Sequence, residues 1–144
     1  MKKSEVAEVY GIIRRMDVKN IESGVRAKML ANTITGKKVA REIEEADQVV
    51  KDGLTDEEKK AMETLQILRE KMAKDRNYMP SDEEKKAADV VKEWNKTYQE
   101  AMEKELNTEV VIDWNKLTKD ELMKLADGNS MTLDEMALLQ VALV

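Results

Sequence analysis

The chain contains no cysteine, no histidine and no phenylalanine. The lack of cysteine excludes a disulfide framework and thiolate chemistry. The lack of histidine removes the usual general base near neutral pH, the Ser-His and Cys-His nucleophile systems, and most zinc or iron ligand sets. Only carboxylate, Lys or Tyr chemistry is left for catalysis. The sequence therefore predicts a protein that is not an enzyme, with no catalytic residue, no cofactor and no metal ligand.

Long apolar runs are also lacking, since no stretch approaches the roughly 18 apolar residues that a membrane span needs. The N-terminus reaches the acidic Glu5 before any apolar run of signal-peptide length. The expectation is a soluble, cytoplasmic chain that makes no contact with a membrane.

What the chain does have is a balance of apolar and charged residues. Of its 144 residues, 42% are hydrophobic and 38% are charged, whereas aromatic residues make up only 3%. This composition is sufficient to cover one face of each of several helices with aliphatic side chains. It favours a folded helical protein over a disordered one.

Apolar residues recur at spacings of three and four along most of the chain, which is the mark of amphipathic helices. The predicted fold is all-α, an antiparallel helical bundle with one long central helix at Asn20–Gly53 and two short C-terminal helices. A short extended stretch is expected near 109–114, packed on the bundle or, as the alternative, paired with a second copy. The predicted domains are 1–107, a helical bundle or coiled hairpin, and 108–144, packed on the same domain.

Four segments open with a Ser or Thr followed three residues later by Glu, a pattern typical of the capping box at a helix start. In that motif the hydroxyl accepts a hydrogen bond from the third helical amide, and the Glu accepts one from the cap amide. The sequence therefore predicts helix starts at four capping residues: Thr55, Ser81, Thr118 and Thr132.

Glycines and one polar residue mark special positions. Asn32 and Gly36 lie on the apolar stripe of the long helix, where they leave a dent rather than a ridge. Gly53 stands where a left-handed C-cap is expected. Gly11, inside the first amphipathic segment, is expected where another backbone comes close.

Charge changes sign along the chain. Through Arg41 there are ten Lys and Arg against four acids, and from Glu42 onward there are fifteen against twenty-six. The first half of the long helix, from Gly24 through Arg41, carries five cations and no acid. The next six residues, Glu42 to Asp47, carry four acids and no cation.

The basic clusters and the last helix supply the candidate interaction residues. The cations could dock on the acidic part of the same chain or of a neighbouring copy, could form a solvated face, or could contact phosphates of nucleic acid. The last helix is apolar nearly all round and must be buried in this chain or in a neighbour. The predicted interaction residues are Arg14, Arg15, Lys37, Lys38, Arg41, Leu139 and Leu143.

Two weaker patterns carry polar residues of ligand type. Asp127, Asn129 and Asp134 suggest a calcium loop, but the spacing does not place Gly and Glu where an EF-hand needs them. Glu109 and Asp113 with Lys116 match the residue types of a metal-dependent nuclease strand, but their spacing fits no known set. A turn between helices and a solvated edge are the preferred interpretations.

Three stretches together carry a resemblance: Ile21–Asn32, Ala40–Asp47, and Glu109–Trp114 with the leucines after it. The chain resembles small helical proteins of undefined function that tailed bacteriophages and prophages encode. The likeness spans Val6–Val50 and Trp94–Leu143. It implies a structural or assembly factor in the cytoplasm of a bacterial host or associated with the virion, and it supplies no functional residue.

The sequence thus leads to two hypotheses. The first is a non-enzymatic protein that acts by helix-mediated association with itself, as a homo-oligomer, or with another protein. The alternative is a nucleic-acid-binding regulator that uses the basic N-terminal third.

Overall fold

The computed structural model describes the whole chain, Met1–Val144. It contains six α-helices and no strand, which confirms the all-α prediction. The longest is α2, of 30 residues. The bounds are α1 Lys3–Ile13, α2 Ser23–Asp52, α3 Asp56–Lys74, α4 Asp82–Leu106, α5 Lys119–Asp127 and α6 Leu133–Leu143.

The four predicted capping boxes are confirmed. In each, the cap hydroxyl accepts from the amide of the Glu three residues on, and that Glu accepts from the cap amide, at 2.9 to 3.2 Å. These bonds satisfy amides that have no partner within the helix. The four pairs are Thr55–Glu58, Ser81–Glu84, Thr118–Glu121 and Thr132–Glu135.

The chain forms two compact units. The first unit consists of Met1–Glu44 and Glu105–Val144, and the second of Glu45–Lys104. One boundary lies within α2, and the other lies within α4, close to the predicted domain boundary at 107 and 108. The sequence did not predict a boundary inside α2.

The first unit is built around one aliphatic core to which α1, α2, α5, α6 and the segment 107–118 contribute. Val6 and Val9 of α1, Leu125 of α5, and Leu139 and Leu143 of α6 have no exposed surface. Leu139 and Leu143 therefore belong to the chain's own core. One side of the apolar last helix is covered within its own unit, so these two predicted interaction residues are not on the surface, whereas Leu133 and Val141 on its other side are 87% and 80% exposed.

The segment 107–118 is non-helical and contains no strand. Its one ladder contact is an antiparallel bridge between Glu109 and Lys2. The Val110 amide donates to the Met1 carbonyl at 2.8 Å, and the Lys3 amide donates to the Thr108 carbonyl at 3.0 Å. The N-terminus of the chain thus supplies the backbone partner that this stretch needs.

Asn32 holds the same segment against α2. Its side chain is fully buried, accepts from the Asn115 amide at 2.7 Å and donates to the Asn115 carbonyl at 3.0 Å. Both polar ends of the amide are therefore satisfied, which makes its burial tolerable. The neighbouring Trp114 and Leu117 are buried in the core of the unit.

The second unit has a smaller core between α3 and α4. Ala61 of α3 and Ala87 and Val91 of α4 are buried together, with Met62, Leu65 and Val90 partly buried around them. The hydroxyl of Tyr98 on α4 donates to the Asp47 carboxylate on α2. A hydrogen bond from a side chain of α4 thus ties the last turns of α2 into this unit.

Two glycine predictions are wrong. No glycine has a positive φ, so Gly53 is not a left-handed cap; its amide bonds to the Val49 carbonyl at 3.2 Å within a right-handed turn. No atom lies within 4 Å of a Cβ built at Gly11. The close approach is at Gly36, where a Cβ would meet the Tyr10 Cβ at 2.8 Å. Tyr10 and Trp114 fill the dent expected there.

We predict opposite effects for the same substitution at these two glycines. Gly36→Ala should lower the free energy of unfolding by about 1–3 kcal/mol, because the new methyl group overpacks against Tyr10. Gly11→Ala should raise it by about 0.5–1 kcal/mol, because Ala loses less backbone entropy in a helix. Urea unfolding of both variants measures the difference. Equal effects at the two positions would contradict the packing described here.

Candidate interaction surface

One face of α2 packs into the protein and the other is open. The buried residues Val25, Met29, Asn32, Gly36 and Val39 follow one another at spacings of three and four. They form the single stripe that contacts the core, as the helical period requires. The opposite side of the helix is therefore presented to solvent over its whole length.

That open side carries large apolar residues. Leu30 is 63% exposed, Ile34 is 52% exposed and Val49 is 71% exposed. Leu30 and Ile34 are one turn apart and so lie side by side on the helix surface. A single exposed aliphatic residue is ordinary, but apolar residues aligned along one helix face mark an interaction surface.

The charges on the same side change sign at Arg41. Lys37, Lys38 and Arg41 are exposed and form no ion pair, and Glu44 and Glu45 follow them, also exposed. We call this side of the helix the α2 face. Its members are Arg26, Leu30, Ile34, Lys37, Lys38, Arg41, Glu44, Glu45 and Val49.

Two other acids near the sign change are already engaged. The Glu42 carboxylate lies 2.9 Å from the Lys3 ammonium, which also contacts Glu105 at 2.5 Å. Hydrogen bonds to Glu105 and then to Glu42 raise the pKa of Lys3. Asp47 pairs with Lys51 at 2.7 Å.

Several cations of the basic N-terminal part pair within the first unit. Arg15 pairs with Glu135, and Lys28 pairs with Glu121 at 3.0 Å. Hydrogen bonds lower the pKa of Glu121, first from the Thr118 amide and then from Lys28. The predicted docking of cations on acids of the same chain thus describes Arg15. It does not describe Lys37, Lys38 and Arg41.

Arg14 is held differently. Its guanidinium lies over the Tyr10 ring, 5.8 Å from the ring centre. A cation at this distance from an aromatic face is attracted to it. Because Tyr10 packs on Gly36, Arg14 is anchored to α1 at the point where α1 meets α2.

The two weak ligand patterns resolve into structural contacts. Asn129 accepts from the Asp17 amide at 2.7 Å and donates to the Asp17 carbonyl at 3.1 Å, so it joins the end of α5 to the loop after α1. Lys116 donates to the Ala142 carbonyl at 2.8 Å and caps the end of α6. Glu109 pairs with the N-terminal ammonium at 3.8 Å.

Comparisons with protein-family models, with curated proteins and with solved structures each find no match. None of the six helices has the combination of length and apolarity needed to cross a membrane.

The sequence pattern identified the cations of the α2 face but missed its apolar residues. Leu30, Ile34 and Val49 are exposed on the same face as Lys37 and Lys38. A signal was present, because these three residues fall off the apolar stripe that runs from Val25 through Val39. An apolar residue outside the buried stripe of a long helix is a candidate for exposure.

We predict that the pair of Asp47 with Lys51 makes stability depend on pH. Hydrogen bonds from Lys51 and then from Tyr98 lower the pKa of Asp47 below its ordinary value of 3.8. Ionised Asp47 therefore stabilises the fold above that value, and the contribution is lost as pH falls through the folded-state pKa.

Asp47→Asn should therefore be less stable than the parent protein at neutral pH, with the difference shrinking below pH 3.8. Urea unfolding at neutral and acid pH measures this. Asp89→Asn, an exposed acid on α4, is the matched control. A difference that is the same at both pH values would refute the assignment.

Proposed function

We propose that this protein is non-enzymatic and acts by association through the α2 face. Helix-mediated contact between copies, or with another protein, is the activity that the surface supports best. The resemblance to small phage and prophage proteins favours a role as a structural or assembly factor, in a bacterial cytoplasm or on a virion.

One observation carries the proposal. Leu30 and Ile34 are more than half exposed on a well-formed helix, and unpaired cations flank them. Covering the exposed part of these two side chains would contribute roughly 1–2 kcal/mol each, because each is only 52 to 63% exposed. The charges beside them would select the partner, because complementary charges set specificity and orientation more than affinity.

The proposal predicts that the protein sediments as a dimer or larger species at tens of micromolar. Ile34→Glu should weaken that association by about tenfold or more, because it puts a charge where an apolar side chain is covered. Met123→Glu is the matched control, since Met123 is 54% exposed on α5, away from the α2 face. It should leave association unchanged.

A monomer at these concentrations would contradict self-association through this surface. An equal effect of the two substitutions would show that the α2 face is not the surface that associates. Circular dichroism of both variants checks that the helices are intact.

A second candidate is nucleic-acid binding, which the three unpaired cations Lys37, Lys38 and Arg41 favour. Cations that contact phosphates release condensed counterions, so such binding falls steeply with salt. The overall charge of −5 and the acids that follow Arg41 on the same helix oppose it.

A mobility-shift assay separates the two functions. Nucleic-acid binding predicts a shift at low salt that weakens at moderate salt and disappears when Lys37, Lys38 and Arg41 are all changed to Glu. The association function predicts no shift, and the same triple change should instead weaken self-association in sedimentation. Absence of a shift at low salt rejects the second candidate.

A further inference from the structure

We infer that the partner of the α2 face is the α2 face of a second copy, paired antiparallel about a two-fold axis. This inference rests on the proposed association function and assigns its partner and geometry. It requires the axis to pass between Arg41 and Glu42, where the charge of the helix changes sign.

The order of charges selects the antiparallel direction. On the α2 face, Lys37, Lys38 and Arg41 precede Glu44 and Glu45 along the helix. A parallel pair would put like charges opposite each other, which costs free energy. An antiparallel pair puts the basic half of each helix against the acidic half of the other. A two-fold axis makes this contact twice over the same surface.

One register places a charge pair and an apolar pair opposite each other. With the axis between Arg41 and Glu42, Lys38 of one copy lies opposite Glu45 of the other. Ile34 lies opposite Val49 in the same register. All four side chains are exposed in the single chain. Successive members of this set are four, seven and four residues apart, so they fall on one side of the helix.

The four residues that pair in this register make few contacts within their own chain. Ile34 and Val49 are 52% and 71% exposed, and neither Lys38 nor Glu45 takes part in an ion pair. By contrast, Asp47 is paired with Lys51, and Glu42 with Lys3. An acidic helix of another protein would pair only with the basic half of the α2 face. The second copy also satisfies the acidic half and covers Val49.

The absence of cysteine makes a direct test possible. Ile34→Cys and Val49→Cys are made separately, one with a size tag, then mixed and oxidised. The inferred pairing places Cys at 34 of one copy beside Cys at 49 of the other, at the spacing a disulfide needs. Two copies of position 34 would be about 22 Å apart along the axis.

The expected result is that the mixed 34–49 disulfide forms in on the order of tenfold greater yield than either the 34–34 or the 49–49 disulfide. Lys38→Cys mixed with Glu45→Cys is a second pair of variants, for use if the first two variants associate poorly. It should also form the mixed disulfide in preference to the other two. Ile34→Cys mixed with Met123→Cys is the matched control and should give no preferred product.

Each outcome bears on a different part of the account. A dimer in sedimentation with like pairs in excess, or with no preferred disulfide, overturns the antiparallel pairing and leaves the association function standing. A monomer in sedimentation removes self-association through the α2 face and the pairing together. The mixed disulfide in excess, with a dimer in sedimentation, supports both.

Discussion

The structure depends on the fact that α2 is covered along one face only. The buried stripe from Val25 to Val39 provides the surface on which α1 and the 107–118 segment pack, and Asn32 fixes that segment by two hydrogen bonds to Asn115. A helix of 30 residues with one covered face must present the other to water. Leu30 and Ile34 lie on that open face, and for this reason we propose it as the surface through which the protein associates.

The cations of the first unit fall into two groups with different roles. Lys3, Arg15 and Lys28 each pair with an acid of the same unit. Each of these pairs joins residues far apart in the sequence and so helps to fix which elements lie together. Lys37, Lys38 and Arg41 have no such partner and remain available for another molecule. The cations of the chain therefore form internal ion pairs at one set of positions, and at another set they remain unpaired on the proposed association surface.

Local features of the fold could be predicted from the sequence, and non-local ones could not. The capping boxes at Thr55, Ser81, Thr118 and Thr132 were predictable because each involves residues only three apart. The burial of Leu139 and Leu143 in their own unit was not, because an apolar helix is equally consistent with a partner's surface. Gly11 and Gly36 show the same limit: both stand in helices, and only the tertiary packing of Tyr10 decides which one lacks room for a side chain. At the candidate surface, the cations were evident from the charge pattern. The exposure of Leu30 and Val49 required knowing which side of α2 is covered.

We propose that the basic half of the α2 face in one copy pairs with the acidic half in the other. The most direct measurement is sedimentation of two charge-reversed proteins, one with Lys37, Lys38 and Arg41 changed to Glu and the other with Glu44 and Glu45 changed to Lys. Each reversed protein alone carries charges of one sign at positions 37, 38, 41, 44 and 45 of the α2 face and should remain monomeric. An equimolar mixture should restore a dimer that contains one copy of each. If the mixture stays monomeric while the parent protein dimerises, or if either reversed protein dimerises alone as well as the parent does, the account is contradicted.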